Sequence, residues 1–169
     1  MATIGYKMFR KDKSGLHPLY INSSDVLPVG VWLLAENGPR TDEGRVKARG
    51  GKTLAYRPGW HICPDLPYET HIGKKGKSGK IEFFPSDLVW CEVMYQNLID
   101  WQAKADEYKS GLPFIPHDGS YRFKTNTSMT GDWIISGGIK IIRELSDKEV
   151  SDLCAKHGKT PLPRCSKKF

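Results

Sequence analysis

"AYRPGWHICPDLPYETHIG", residues 55–73, is the stretch on which the reading of this chain turns. A Pro58-Gly59 turn joins two short extended pieces, "TLAY" and "GWHI", and a second proline turn leads to His71. Aromatics, imidazoles and an arginine are packed here more densely than a plain surface loop requires. Three chemistries can be set against these residues. A metal site would draw on His61, Cys63 and His71. The H-x-C spacing places the first two on one strand face, and no second close pair completes a tetrahedral set, so no metal is expected. A Cys-His nucleophile pair would use Cys63 and His61. Residues two apart on a strand do not orient each other that way, and a cysteine between Ile62 and Pro64 reads as a small buried hydrophobe. A nucleotide-recognising edge is the third. Trp60 or Tyr56 offers a flat ring for a base, His61 a partner for a ribose hydroxyl, and Arg57 a bidentate clamp for a pyrophosphate. Against all three stands a plain strand-turn-strand corner, with Trp60 in the core and His61 bonded to a backbone carbonyl.

The rest of the chain sets the frame. Its 169 residues suit one domain, residues 1–158, followed by a loose basic tail, 159–169. A net charge of +7 points to an acidic partner: nucleic acid, a nucleotide or an acidic protein. No run approaches the roughly 18 apolar residues of a membrane span. The N-terminus "MATIGYKMFRKDK" is too polar for a secretory signal, and Cys63, Cys91, Cys154 and Cys165 form no C-x-x-C pair. Both features fit reduced thiols in a cytosolic protein.

Strand-length pieces are "IGYKMFR" (4–10), "LHPLYI" (16–21), "VGVWLLAE" (29–36), "KIEFF" (80–84), "DLVWCEVMYQ" (87–96) and "GSYRFKTN" (119–126). "GDWIISGGIKIIREL" (131–145) is two apolar runs broken at Gly137-Gly138. "DWQAKADEYKSG" (100–111) is a short helix candidate. "SDKEVSDLCAKHG" (146–158) is the clearest helix, with Ser146 and Glu149 as a capping box and Gly158 as its stop. The basic glycine-rich segments 38–52 and 73–80 read as exposed, mobile loops, and the second lacks P-loop spacing. This inventory predicts an α+β domain of split, mostly antiparallel sheets with few short helices.

Several of these pieces, in this order, resemble the motifs of the ADP-ribosyltransferase-like superfamily. "GWHICPDLPYETHIG" is similar to its second motif, "GDWIISGGIKIIREL" to its third, and "GYKMFR" to its first-motif strand. The chain also looks like small proteins of phages and other mobile elements that carry the same Gly-Trp-His segment. The resemblance implies two sheets around a cleft that holds NAD. Lys7, Arg10, Tyr56, Arg57 and Trp60 would bind the dinucleotide, and His61 and Asp132 would serve catalysis. Asp132 stands where the family generally has glutamate. The function implied is transfer of ADP-ribose from NAD to a host protein or nucleic acid. The alternative is a non-catalytic basic protein on the same fold, either an inhibitor of a host defence system or a nucleic-acid binder. The latter would work through the basic loops, with Tyr121 and Phe123 stacking on bases.

Overall fold

The computed structural model describes residues 3–129 and 131–169. The chain runs through β1 (Ile4–Asp12), β2 (Gly15–His17), β3 (Trp32–Leu34), β4 (Val46–Ala48), β5 (Lys52–Leu54), β6 (Trp60–Ile62) and β7 (Lys74–Lys75). It continues through β8 (Ile81–Phe83), β9 (Leu88–Tyr95), β10 (Ile99–Asp100), α1 (Gln102–Ala105), β11 (Gly119–Phe123), β12 (Trp133–Ser136), β13 (Gly138–Glu144) and α2 (Asp147–Ala155). The fold is mostly β, with few helices and a curled, largely antiparallel sheet system.

Five strands form one sheet in the order β2-β1-β9-β13-β3, and four form a second in the order β10-β11-β12-β6. The sheets are joined in two places. β12 runs into β13 across Gly137, and Tyr6 of β1 forms a bridge with Cys63, just past β6. Gly137 is needed where the chain turns from one sheet into the other, because a Cβ there would run into the Pro116 carbonyl. Gly59, entering β6, has φ +132°, and a Cβ would strike Ile135.

Strand alternation sorts the apolar residues. Phe9, Val89, Cys91, Val93, Ile139 and Ile141 of the larger sheet meet Ile62 and Ile134 of the smaller one. Met8, Leu88, Trp90, Trp133 and Ile135 point to a second core, closed partly by Val150 and Cys154 of α2. The α2 capping box is present as its sequence requires.

Several expectations are corrected. The helix of 100–111 shrinks to the single turn Gln102–Ala105, followed by hydrogen-bonded turns through Tyr108. Strand 16–21 ends at His17, ahead of Pro18, and strand 29–36 is confined to Trp32–Leu34. Segment 38–52 is not structureless: β4 and β5 pair as a hairpin, Val46 is buried, and the Arg49 N–H donates to the Tyr20 carbonyl. Segment 73–80 likewise opens on β7, which pairs with β8.

The tail is not loose either. Arg164 pairs with both carboxylate oxygens of Asp147 at 2.8 Å and donates to the carbonyls of Pro85 and Leu88, each at 2.9 Å. Phe84 bonds on either side of Arg164, to Pro163 and Cys165, and Phe169 packs edge-on against Tyr20. Charge alone suggested a solvated tail; one arginine with five acceptors, the Ser86 carbonyl among them, holds it down. No helix among the described residues is long and apolar enough to cross a membrane.

Candidate functional site

β6 and β12 are neighbours, with His61 opposite Ile135 and Trp60 opposite Ser136. The strands that carry the Gly-Trp-His and Asp-Trp segments therefore lie side by side. Beside them opens a cleft of about 800 Å³, lined by Lys7, Tyr56, Arg57, Trp60, His61, His71 and Trp133, among others. Five of the seven residues singled out from sequence reach it.

Each of the five is fixed by its neighbours. The Lys7 ammonium donates to the His61 carbonyl at 2.8 Å and lies 5.7 Å and 5.8 Å from the ring centres of Phe9 and Trp60. The Trp60 indole N–H donates to the Leu33 carbonyl at 2.9 Å, tying β6 to β3. Tyr56 donates its hydroxyl to Asn37 at 2.6 Å, and the Arg40 guanidinium stacks 3.5 Å from its ring. That stack covers one face of Tyr56, so Trp60 is the better platform for a base. Arg57 donates Nε to the Ser110 carbonyl at 2.6 Å and rests on Phe123, 4.6 Å away. Its two terminal nitrogens have no protein partner among the described residues. His61 donates Nδ1 to the Gly59 carbonyl at 3.1 Å, which leaves Nε2 as an acceptor.

The electrostatics are one-sided. Among the described residues neither Lys7 nor Arg57 forms an ion pair. Asp25 and Glu36 also line the cleft but are exposed and pair with neither cation. Burial pushes the Lys7 amine down to about 8, against a small opposing effect of Cys63. Burial also lowers Arg57, with Tyr121 opposing. Burial first, then the charges of Lys7 and Arg57, drives His61 down to about 3, so it is neutral at physiological pH. Two unneutralised cations facing aromatic walls make a receptor for an anion that carries a flat ring.

Two expected residues fall outside. Arg10 turns away on β1 and donates to the Ser23 carbonyl at 2.8 Å, with Asp12 at 3.4 Å. Asp132 is exposed and does not line the cleft. Asp132 precedes β12, whose first residue is Trp133, so the strand's alternation does not turn its side chain toward the cleft. It also lies three residues from Ile135, the partner of His61, or about 10 Å along the strand. Glu92 on β9 is 3.7 Å from Arg143 and also lies off the cleft.

The sequence reading passed over the floor. Trp133 lies edge-on between two imidazoles, with His61 6.0 Å and His71 5.6 Å away between ring centres. His71 Nδ1 is 2.6 Å from the buried Glu69 carboxylate. Glu69 Oε1 also accepts the main-chain N–H of Thr70 at 2.9 Å. The signal was the "ETHIG" end of the opening stretch, considered only for metal. Among the described residues no three His, Cys, Asp or Glu side chains converge as a metal site would need. Cys63 is buried and its thiol is pushed upward by burial, the reverse of an activated nucleophile.

The nucleic-acid surface also loses a member. Tyr121 is buried, and its hydroxyl accepts the Leu112 N–H at 3.1 Å. Phe123 is covered by Arg57, so the pair does not present two rings for bases. No family model matches the sequence, and no curated protein or solved structure is significantly similar to it.

Proposed function

We propose that this is an ADP-ribosyltransferase-like protein of a phage or other mobile element whose cleft recognises NAD or a related dinucleotide. One observation carries the reading: Lys7 and Arg57, cations without carboxylate partners among the described residues, line the same 800 Å³ cleft as Trp60, Tyr56 and His61. In this reading the free terminal nitrogens of Arg57 take the pyrophosphate in bidentate fashion, and Lys7 adds a point charge. Trp60 stacks on a base or on nicotinamide, and the Nε2 lone pair of neutral His61 accepts a ribose hydroxyl. The split, curled sheets with β6 beside β12 fit the arrangement that the motif order implies.

The geometry favours recognition over turnover. In the ADP-ribosyltransferase reading, an acid beside the ribose stabilises an oxocarbenium-like centre as the nicotinamide leaves. Asp132 does not line the cleft, so in this reading it takes no part in holding NAD. Isothermal calorimetry with NAD tests the reading. Binding is expected for the wild type and, unchanged within twofold, for Asp132→Asn. No heat at millimolar NAD, or loss of binding in Asp132→Asn with the fold intact, contradicts it.

A further inference from the structure

Lys7 offers chemistry beyond that of a point charge. Lys7 lines the cleft, yet among the described residues only one hydrogen-bond acceptor, the His61 carbonyl at 2.8 Å, holds its amine. Two ring faces, Phe9 and Trp60, replace the water that an ordinary lysine keeps. The titratable groups around it are His61 on β6, Cys63 just after it, Cys91 opposite on β9, and Arg57 ahead of β6. Asp25 and Glu36 line the same cleft but are exposed, and among the described residues no carboxylate pairs with Lys7. The buried Glu69 carboxylate lies 2.6 Å from His71 Nδ1 and accepts the main-chain N–H groups of Thr70 and His71. An amine desolvated by aromatic rings and without a counter-ion among the described residues is the setting in which lysine becomes a nucleophile.

We infer that Lys7 is a carbonyl-reactive amine and that the cleft takes a phosphorylated aromatic aldehyde as an imine on its Nζ, with Arg57 holding the phosphate. The neutral amine attacks the carbonyl carbon through its lone pair. A proton moves from nitrogen to the alkoxide to give a carbinolamine, and loss of water leaves the C=N bond. The step is reversible by hydrolysis and needs no oxidant or reductant. The lowered basicity, about 8, supports it: the neutral form becomes abundant well below the range of an exposed lysine at roughly 10.4. The inference shares the cleft with the dinucleotide reading but does not depend on it.

The test is reductive trapping on the wild-type chain. Pyridoxal 5′-phosphate at one equivalent, with cyanoborohydride to reduce any imine, is followed by peptide mapping from pH 6.5 to 9.5. The expected result is a single label at Lys7, rising through about pH 8, at least about tenfold above any surface lysine near neutrality. Phosphate-free pyridoxal should label Lys7 more slowly, and Arg57→Ala should bring the phosphorylated probe down to that slower rate. Label spread over exposed lysines such as Lys75 and Lys148, with Lys7 unmodified, overturns the inference. Equal rates for pyridoxal and its phosphate overturn the assignment of the phosphate to Arg57. Calorimetry with NAD reads the dinucleotide proposal separately, so either can fail while the other stands.

Discussion

Arg57 is the side chain whose removal says most. It enters the cleft from the segment before β6, held at Nε by the Ser110 carbonyl and supported by Phe123. Its remaining nitrogens have no partner among the described residues. A charge-assisted contact is worth roughly 1.5–3 kcal/mol, so Arg57→Ala should weaken NAD binding about 10- to 100-fold by calorimetry. Arg57→Lys should recover only part of this, because an ammonium cannot form the fork. His61 gives a prediction about stability. Its imidazole titrates near 3 in the fold and near 6.5 when unfolded. Above pH 6.5 both states are neutral and it contributes no slope. Between pH 6.5 and 3 the unfolded chain takes up a proton that the fold refuses, so stability falls as pH falls. His61→Asn should flatten that limb in melting curves recorded from pH 7 to 4. A limb as steep as the wild type's would mean that other groups carry the acid sensitivity.

The elements show what was readable beforehand and what was not. The break at Gly137-Gly138 separates β12 from β13, and the Ser146–Glu149 capping box starts α2, because both are local signals. The tail escaped notice because its anchor is not local. Asp147, Pro85 and Leu88 lie 17, 79 and 76 positions from Arg164. Burying the bonds of one arginine gave no sign in a segment that is otherwise polar. Arg164→Ala should therefore destabilise by about 2 kcal/mol, the range for charge-assisted bonds that leave carbonyls unpartnered. Amide exchange at Phe84, whose N–H donates to the Pro163 carbonyl, should speed up at the same time. A melting temperature unchanged by the substitution would show that the strap is not held there. The site was legible in part for the same kind of reason. Lys7, Tyr56, Arg57, Trp60 and His61 sit on segments whose types and order could be read. Asp132 was placed by motif position alone, and it lies in the exposed segment ahead of β12 rather than on the strand itself.

For the molecule as a whole, the two sheets meet at β12–β13 and at Tyr6–Cys63, and the cleft opens beside that seam. The positive charge is distributed in two ways. Part lies on exposed hairpins, where salt screens it. Part lies at Lys7 and Arg57, where burial protects it. Binding at the cleft should therefore lose little affinity as salt rises, whereas a nucleic-acid surface built on residues 38–52 and 73–80 would lose it steeply. The tryptophans report which surface is used. Trp32, Trp60 and Trp133 line the cleft, while Trp90 and Trp101 do not. An NMR titration of the nitrogen-15-labelled indole N–H groups with NAD resolves them individually. Dinucleotide recognition at this site requires that Trp60 and Trp133 shift in a saturable way while Trp90 and Trp101 stay in place. Unmoved Trp60 and Trp133 signals at saturating NAD would show that the cleft does not hold the dinucleotide.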